Sequence, residues 1–179
     1  MTQKMSLTED IKLSFHKIFV SCDPFGEPFC NVVPCRLILC PYGYHLDEEQ
    51  FEALSRAAGS VGEKKAFVLT IEGISRIEES KECWEIDLSE YEAYAHIPLM
   101  MRYALYSTRG NWGLIVSEEE YAVLGSREGF MDVFKEAYPE WESQLPQFLD
   151  MWREKKGWGS DVSWLPALTK HVYGRAYSL

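Results

Sequence analysis

Cys40 and His45 come nearest to covalent chemistry in this chain. A thiolate attacks, and an imidazole five residues on could take its proton. Cys40 closes an apolar run and His45 precedes a helix start, where backbone dipoles can favour a thiolate. Against that, Asp47, Glu48, Glu49 and Glu52 crowd the same helix start, and negative charge raises a thiol pKa. No residue is marked as an oxyanion donor. A core cysteine with His45 in a surface loop is the commoner arrangement.

Metal chemistry is the second candidate. Cys22, Cys30, Cys35 and Cys40 fall close together, with His16 and His45 flanking, which would make residues 16–45 a structural zinc site. The intervening gaps are seven, four and four residues, not the close pairs that zinc favours. On one strand, an offset of five sends the Cys35 and Cys40 thiols to opposite faces. Free buried cysteine is an ordinary core residue. No metal or cofactor is therefore expected.

Adjacent acids are plentiful: Asp47-Glu48-Glu49, Glu78-Glu79 and Glu118-Glu119-Glu120. At helix starts they suit the dipole as solvated residues, whereas acid catalysis needs a carboxyl in a dry pocket. Phosphate-loop, dinucleotide, zinc-protease and nucleophile-elbow motifs are absent.

Recognition chemistry remains. Five of six tryptophans follow residue 110. Trp112 and Trp158 lie beside turns, and Arg109 and Asn111 sit at the tip of a hairpin. Exposed tryptophan beside arginine is the composition of an interface anchor. A lone arginine in an acidic region is more often held by a neighbouring carboxylate.

The charge is unevenly placed. The 179 residues carry a net charge of −10. Residues 1–43 are balanced, residues 44–120 hold sixteen acids against seven bases, and residues 121–179 hold eight against seven. Such a field repels phosphate backbones, so nucleic acid is not an expected partner. It attracts basic proteins, with Glu78, Glu79, Glu82, Glu85 and Asp87 as the steering acids. No apolar stretch has bilayer length, so no membrane partner is expected. Five cysteines, an odd number, and an acid-bearing first segment without an apolar run suit reduced thiols in a cytosol.

These residues need elements to position them. The apolar fraction of 46% and charged fraction of 26% suit a single globular domain over 1–179. Ile11, Phe15, Ile18 and Cys22 share one face of a helix over 7–20, opened by Ser6 and Glu9. Cys35 to Cys40 reads as a strand between Pro34 and Pro41, and Pro41-Tyr42-Gly43-Tyr44 turns the chain. Asp47 and Gln50 open a helix through a capping box, with Leu46 stapled to Phe51 and Gly59 closing it.

Ala66 to Ile71 reads as a strand covered on both faces, and Trp84 to Leu88 as one with a wet face. Ser89 and Glu92 suggest a short helix through Ala95. Tyr103–Ser107 and Trp112–Val116 form a hairpin around Thr108-Arg109-Gly110-Asn111. Ser117 and Glu120 have the spacing of another capping box. Helices follow: one capped by Ser126 and ended by Pro139, one opened by Ser143, and one over Leu165–Val172.

The fold class is α+β: a mostly antiparallel sheet of four to six strands, helices on one face, and a helix-rich last third. The function expected is a non-enzymatic binding module for a basic protein, of the inhibitor or immunity-protein kind. The alternatives are a small Cys40/His45 enzyme and a zinc-binding domain.

Overall fold

The computed structural model describes residues 2–41, 43–99 and 101–179. Tyr42, in the turn expected over 41–44, lies outside them. The elements in chain order are β1 (Gln3–Met5), α1 (Glu9–His16), β2 (Cys35–Leu39), α2 (Glu48–Ser60), β3 (Lys65–Thr70), β4 (Cys83–Asp87), α3 (Tyr91–Ala95), β5 (Tyr103–Ser107), β6 (Trp112–Val116), β7 (Ala122–Ser126), α4 (Glu128–Ala137), α5 (Trp141–Gly157) and α6 (Leu165–Tyr173). A 3-10 turn at Ile77–Glu79 joins β3 to β4. The seven strands make one sheet in the order β1-β4-β3-β5-β6-β7-β2. Every neighbouring pair is antiparallel. The class is α+β, with seven strands where four to six were expected.

Helices cover both faces, not one. Val68, Leu105, Leu114 and Leu124 belong to the core beneath α2, α3 and α4. Phe67, Ala104, Ile115 and Val123 belong to the core beneath α1, α5 and α6. The physical reason is in the strands: YALYS, WGLIV and AVLGS are buried at every position, so neither face can meet water.

β7 replaces the helix expected after Ser117. The capping-box residues build a turn instead. Ser117 Oγ accepts from the Glu119 amide at 3.0 Å, and Glu120 takes a positive φ of 62°. Tyr121 to Leu124 is buried on both faces, and that burial outweighs a local capping preference.

Cap assignments differ elsewhere. Thr8, not Ser6, caps α1. Ser126 ends β7, and Arg127 precedes α4. Ser89 bonds Asp87 rather than capping α3. α5 begins two residues before Ser143, so Pro146 lies inside it. α2 runs past Gly59, and Gly62 takes the left-handed conformation that follows it, with φ +75°. The Asp47–Gln50 capping box forms as expected, with Leu46 and Phe51 buried beside it.

Two glycines make the sheet fit its cover. Gly113 on β6 faces Gly125 on β7. Phe19 and Phe29 pair by a backbone bridge, stack at 5.3 Å and seat on this glycine pair. A Cβ at Gly113 would stand 2.5 Å from Phe19 Cζ, and one at Gly125 2.5 Å from Phe29 Cε1. Only glycine admits rings that close.

The loop carrying Phe29 is pinned from α6. The Phe29 amide donates to His171 Nε2 at 3.2 Å. Arg36 donates to the carbonyls of Val33, Cys30 and His171. β2 is an edge strand, and side chains reach its outward side: Ile38 N–H donates to Tyr173 Oη at 3.0 Å and, just past the strand, Cys40 N–H donates to Gln144 Oε1 at 2.8 Å.

Candidate functional site: an acidic groove along α2

The polar stripe of α2 forms one wall of a groove. Phe51, Leu54, Ala57 and Ala58 turn inward, which leaves Glu48, Glu52, Ser55 and Gly59 along the flanking stripe at helical spacing. The other wall is the end of β4 with α3, contributing Leu88, Ser89, Tyr91 and Glu92. Between them lies a cavity of about 570 Å³. Phe51 and Tyr91, with ring centres 5.5 Å apart, give it an aromatic lining. Tyr91 is placed by its hydroxyl, which donates to the Leu46 carbonyl at 3.4 Å, and by its packing near Tyr94. Tyr94 in turn is locked by a 2.5 Å hydroxyl pair with Tyr103 in the core.

The groove is negative. Four carboxylates line it, Glu48, Glu52, Glu90 and Glu92, with Arg56 as the one lining cation among the described residues. Glu48 and Glu52 have no cationic partner within 4 Å among those residues. The Tyr91 hydroxyl registers the field: burial pushes its pKa up, and the charges of Asp47, Glu48 and Glu92 push it further. A cavity with carboxylates at its rim and aromatic rings within can hold an ammonium or guanidinium with its aliphatic stem.

The steering acids expected from sequence are largely engaged elsewhere. Glu82 pairs with Lys4 at 2.8 Å and Glu85 with Lys65 at 2.5 Å. Glu78 faces His16 at 3.5 Å and Glu79 faces Arg76 at 3.7 Å. Asp87 accepts from the Ser89 amide and hydroxyl.

The two tryptophans part company. Trp158 is 75% exposed beyond the end of α5. Trp112 is 0% exposed and stacks on Phe130 at 5.3 Å, so it is a core ring and not a surface anchor. Arg109 is exposed, yet it makes no ion pair among the described residues, so the carboxylate partner expected for it is absent there. Its turn is held by Ser107 Oγ, which accepts from both the Arg109 and Asn111 amides at 3.0 Å. Asn111 turns inward and donates to Glu63 at 2.7 Å.

Cys40 and His45 do not form a nucleophile–base pair. The Cys40 thiol leans on the Gln144 carbonyl at 3.7 Å, and burial pushes its pKa up to about 12. His45 Nε2 donates to the Ile97 carbonyl at 3.0 Å, and burial lowers its pKa. The four clustered cysteines do not converge either. Cys35 packs with the core under α2 and α4, and Cys40 with the opposite core, as their spacing requires. The Cys30 thiol donates to the Lys17 carbonyl, and Cys22 is buried. No three metal-ligating side chains come together among the described residues.

Glu48, Glu52, Tyr91 and Glu92 were not among the residues singled out from sequence as binding residues. A signal existed: the polar stripe at i, i+4, i+7 and i+11 beside Phe51. What sequence could not supply is the opposing wall, because α3 reaches α2 only through the tertiary fold. Comparison with protein-family models, with curated proteins and with solved structures found no match to this chain. No helix among the described residues is long and apolar enough to cross a membrane.

Proposed function

We propose that the protein is a non-enzymatic binding module that captures a basic protein partner in the groove between α2 and α3. The observation that carries the reading is the cavity itself, lined by Tyr91 and by Glu48 and Glu52, which have no cationic partner within 4 Å among the described residues. The excess of acids over residues 44–120 supplies long-range attraction, and the groove supplies the short-range fit. Steering by charge and holding by rings is how small inhibitors and immunity proteins of the cytosol work, and the chain suits that class. Trp158 offers a further exposed ring outside the groove.

The test is partner capture with paired variants. A partner recovered by the wild-type protein is lost with the double variant Glu48→Lys, Glu52→Lys. It is retained with Glu78→Lys, Glu79→Lys, whose acids lie outside the groove. Its association rate falls steeply as salt rises through the range where the Debye length drops from about 30 Å to about 3 Å. Equal binding by both variants, or a rate that ignores salt, refutes the proposal.

A further inference from the structure

Among the described residues, Glu63 is the only carboxylate with a buried oxygen that has no partner. It follows α2 and is 3% exposed. Oε1 accepts from Asn111 Nδ2 at 2.7 Å, while Oε2 receives nothing. The cations at hand do not serve it. The Arg109 guanidinium lies across Gly62, 3.8 Å from where a Cβ would stand, and neither Arg109 nor Lys64 makes an ion pair among the described residues. A dry carboxylate oxygen is costly to leave unbonded, so it marks a place where a donor belongs.

Glu63 also lines a second cavity of about 360 Å³, with Asp87, Ser55, Ser89 and the cation Lys64 in its wall. Ser55, Leu88 and Ser89 line this cavity and the larger one alike, so the two adjoin. From Glu48 to Gly59 the groove follows α2 for about 16 Å at ~1.5 Å per residue. That is the length of about five residues of extended chain.

We propose that the groove takes an extended basic segment of the partner, and that its far pocket reads one arginine side chain through Glu63. The proposal rests on the reading of the preceding section and adds a specificity-determining residue to it. A guanidinium has five donors in a planar fork, enough to bond Glu63 Oε2 and still face Asp87. An ammonium concentrates its donors on one nitrogen and spans the two carboxylates less well.

The experiment is a titration of the full-length, 15N-labelled protein with ethylguanidinium and, separately, butylammonium, followed by amide shifts. Ethylguanidinium is expected to give saturable shifts at the Asn111 side-chain amide and at Ser55 and Ser89, with butylammonium weaker. Glu63→Gln keeps an oxygen for Asn111 and so preserves the fold, and it weakens ethylguanidinium about tenfold or more. Absence of saturable shifts at Asn111, or the same titration in Glu63→Gln, overturns the Glu63 pocket. Shifts confined to Tyr91 and Glu52 overturn the pocket while leaving the α2–α3 groove standing. Loss of the groove reading is read separately, from partner capture by the Glu48 and Glu52 variants.

Discussion

Acidification from pH 7 to pH 4 should weaken the fold through His171. The ring is 8% exposed in its side chain. Nε2 accepts from the Phe29 amide, and Arg36 Nη1 lies 3.1 Å from Nδ1. A second ring proton would displace the Phe29 bond and set a cation against Arg36, with Glu27 at 3.8 Å as partial relief. Burial first, then Arg36, lowers the His171 pKa from 6.5 to about 4. Between those values the unfolded chain binds a proton that the folded chain refuses, so stability falls as pH falls. The window opens at about 6.5 and closes at about 4. At about 1.4 kcal/mol per pH unit, the full loss is about 3 kcal/mol. Urea unfolding from pH 7 to 4 measures it. His171→Gln retains an acceptor for the Phe29 amide and cannot titrate, so its stability should change less with pH, by about that amount. A variant with the wild-type pH slope would falsify the assignment.

Other outcomes follow from contacts already described. Gly113→Ala and Gly125→Ala each press a methyl into a phenyl ring and should cost about 1–3 kcal/mol in thermal unfolding. Gly129→Ala, in α4 with open space around it, should instead stabilise by about 0.5–1 kcal/mol, and a loss there would contradict the geometry. Glu118→Ala removes two hydrogen bonds to Arg102, at 3.0 and 2.6 Å, leaves it Glu72 at 3.8 Å, and should cost about 1–2 kcal/mol. Cys40, raised from 9.0 to about 12, should be alkylated at pH 8 about tenfold or more slower than an unfolded peptide thiol, since the lower thiolate fraction outweighs its greater nucleophilicity. Residue-resolved mass spectrometry decides it, and peptide-like labelling of Cys40 would mean that its burial is misassigned.

What sequence could show was mostly short-range. The Asp47–Gln50 box, the hairpin around Gly110 and the doubly covered β3 all rest on neighbours within a few residues, and all three form. β7 was missed because a capping-box spacing and a β-prone run overlap at Ser117–Leu124, and only burial on both faces chooses between them. Trp112 looked exposed beside its turn, but Phe130 from α4 covers it, a contact that nothing local announces. The groove was hidden for the same reason. Its acids were visible as a helix stripe, while Tyr91 and Glu92 meet them only after β3 and β4 bring α3 alongside.

The covered edge of β2 has a consequence for the order of events during synthesis. β2 leaves the ribosome before its sheet partner β7, which arrives more than eighty residues later, and the caps at Gln144 and Tyr173 come later still. Until then both sides of an apolar strand are open to pairing with another chain. A chain halted after β7 would have a complete sheet with one adhesive border. Two side chains that follow β7 in the chain, Gln144 and Tyr173, therefore cover the border at which the sheet ends on the β2 side.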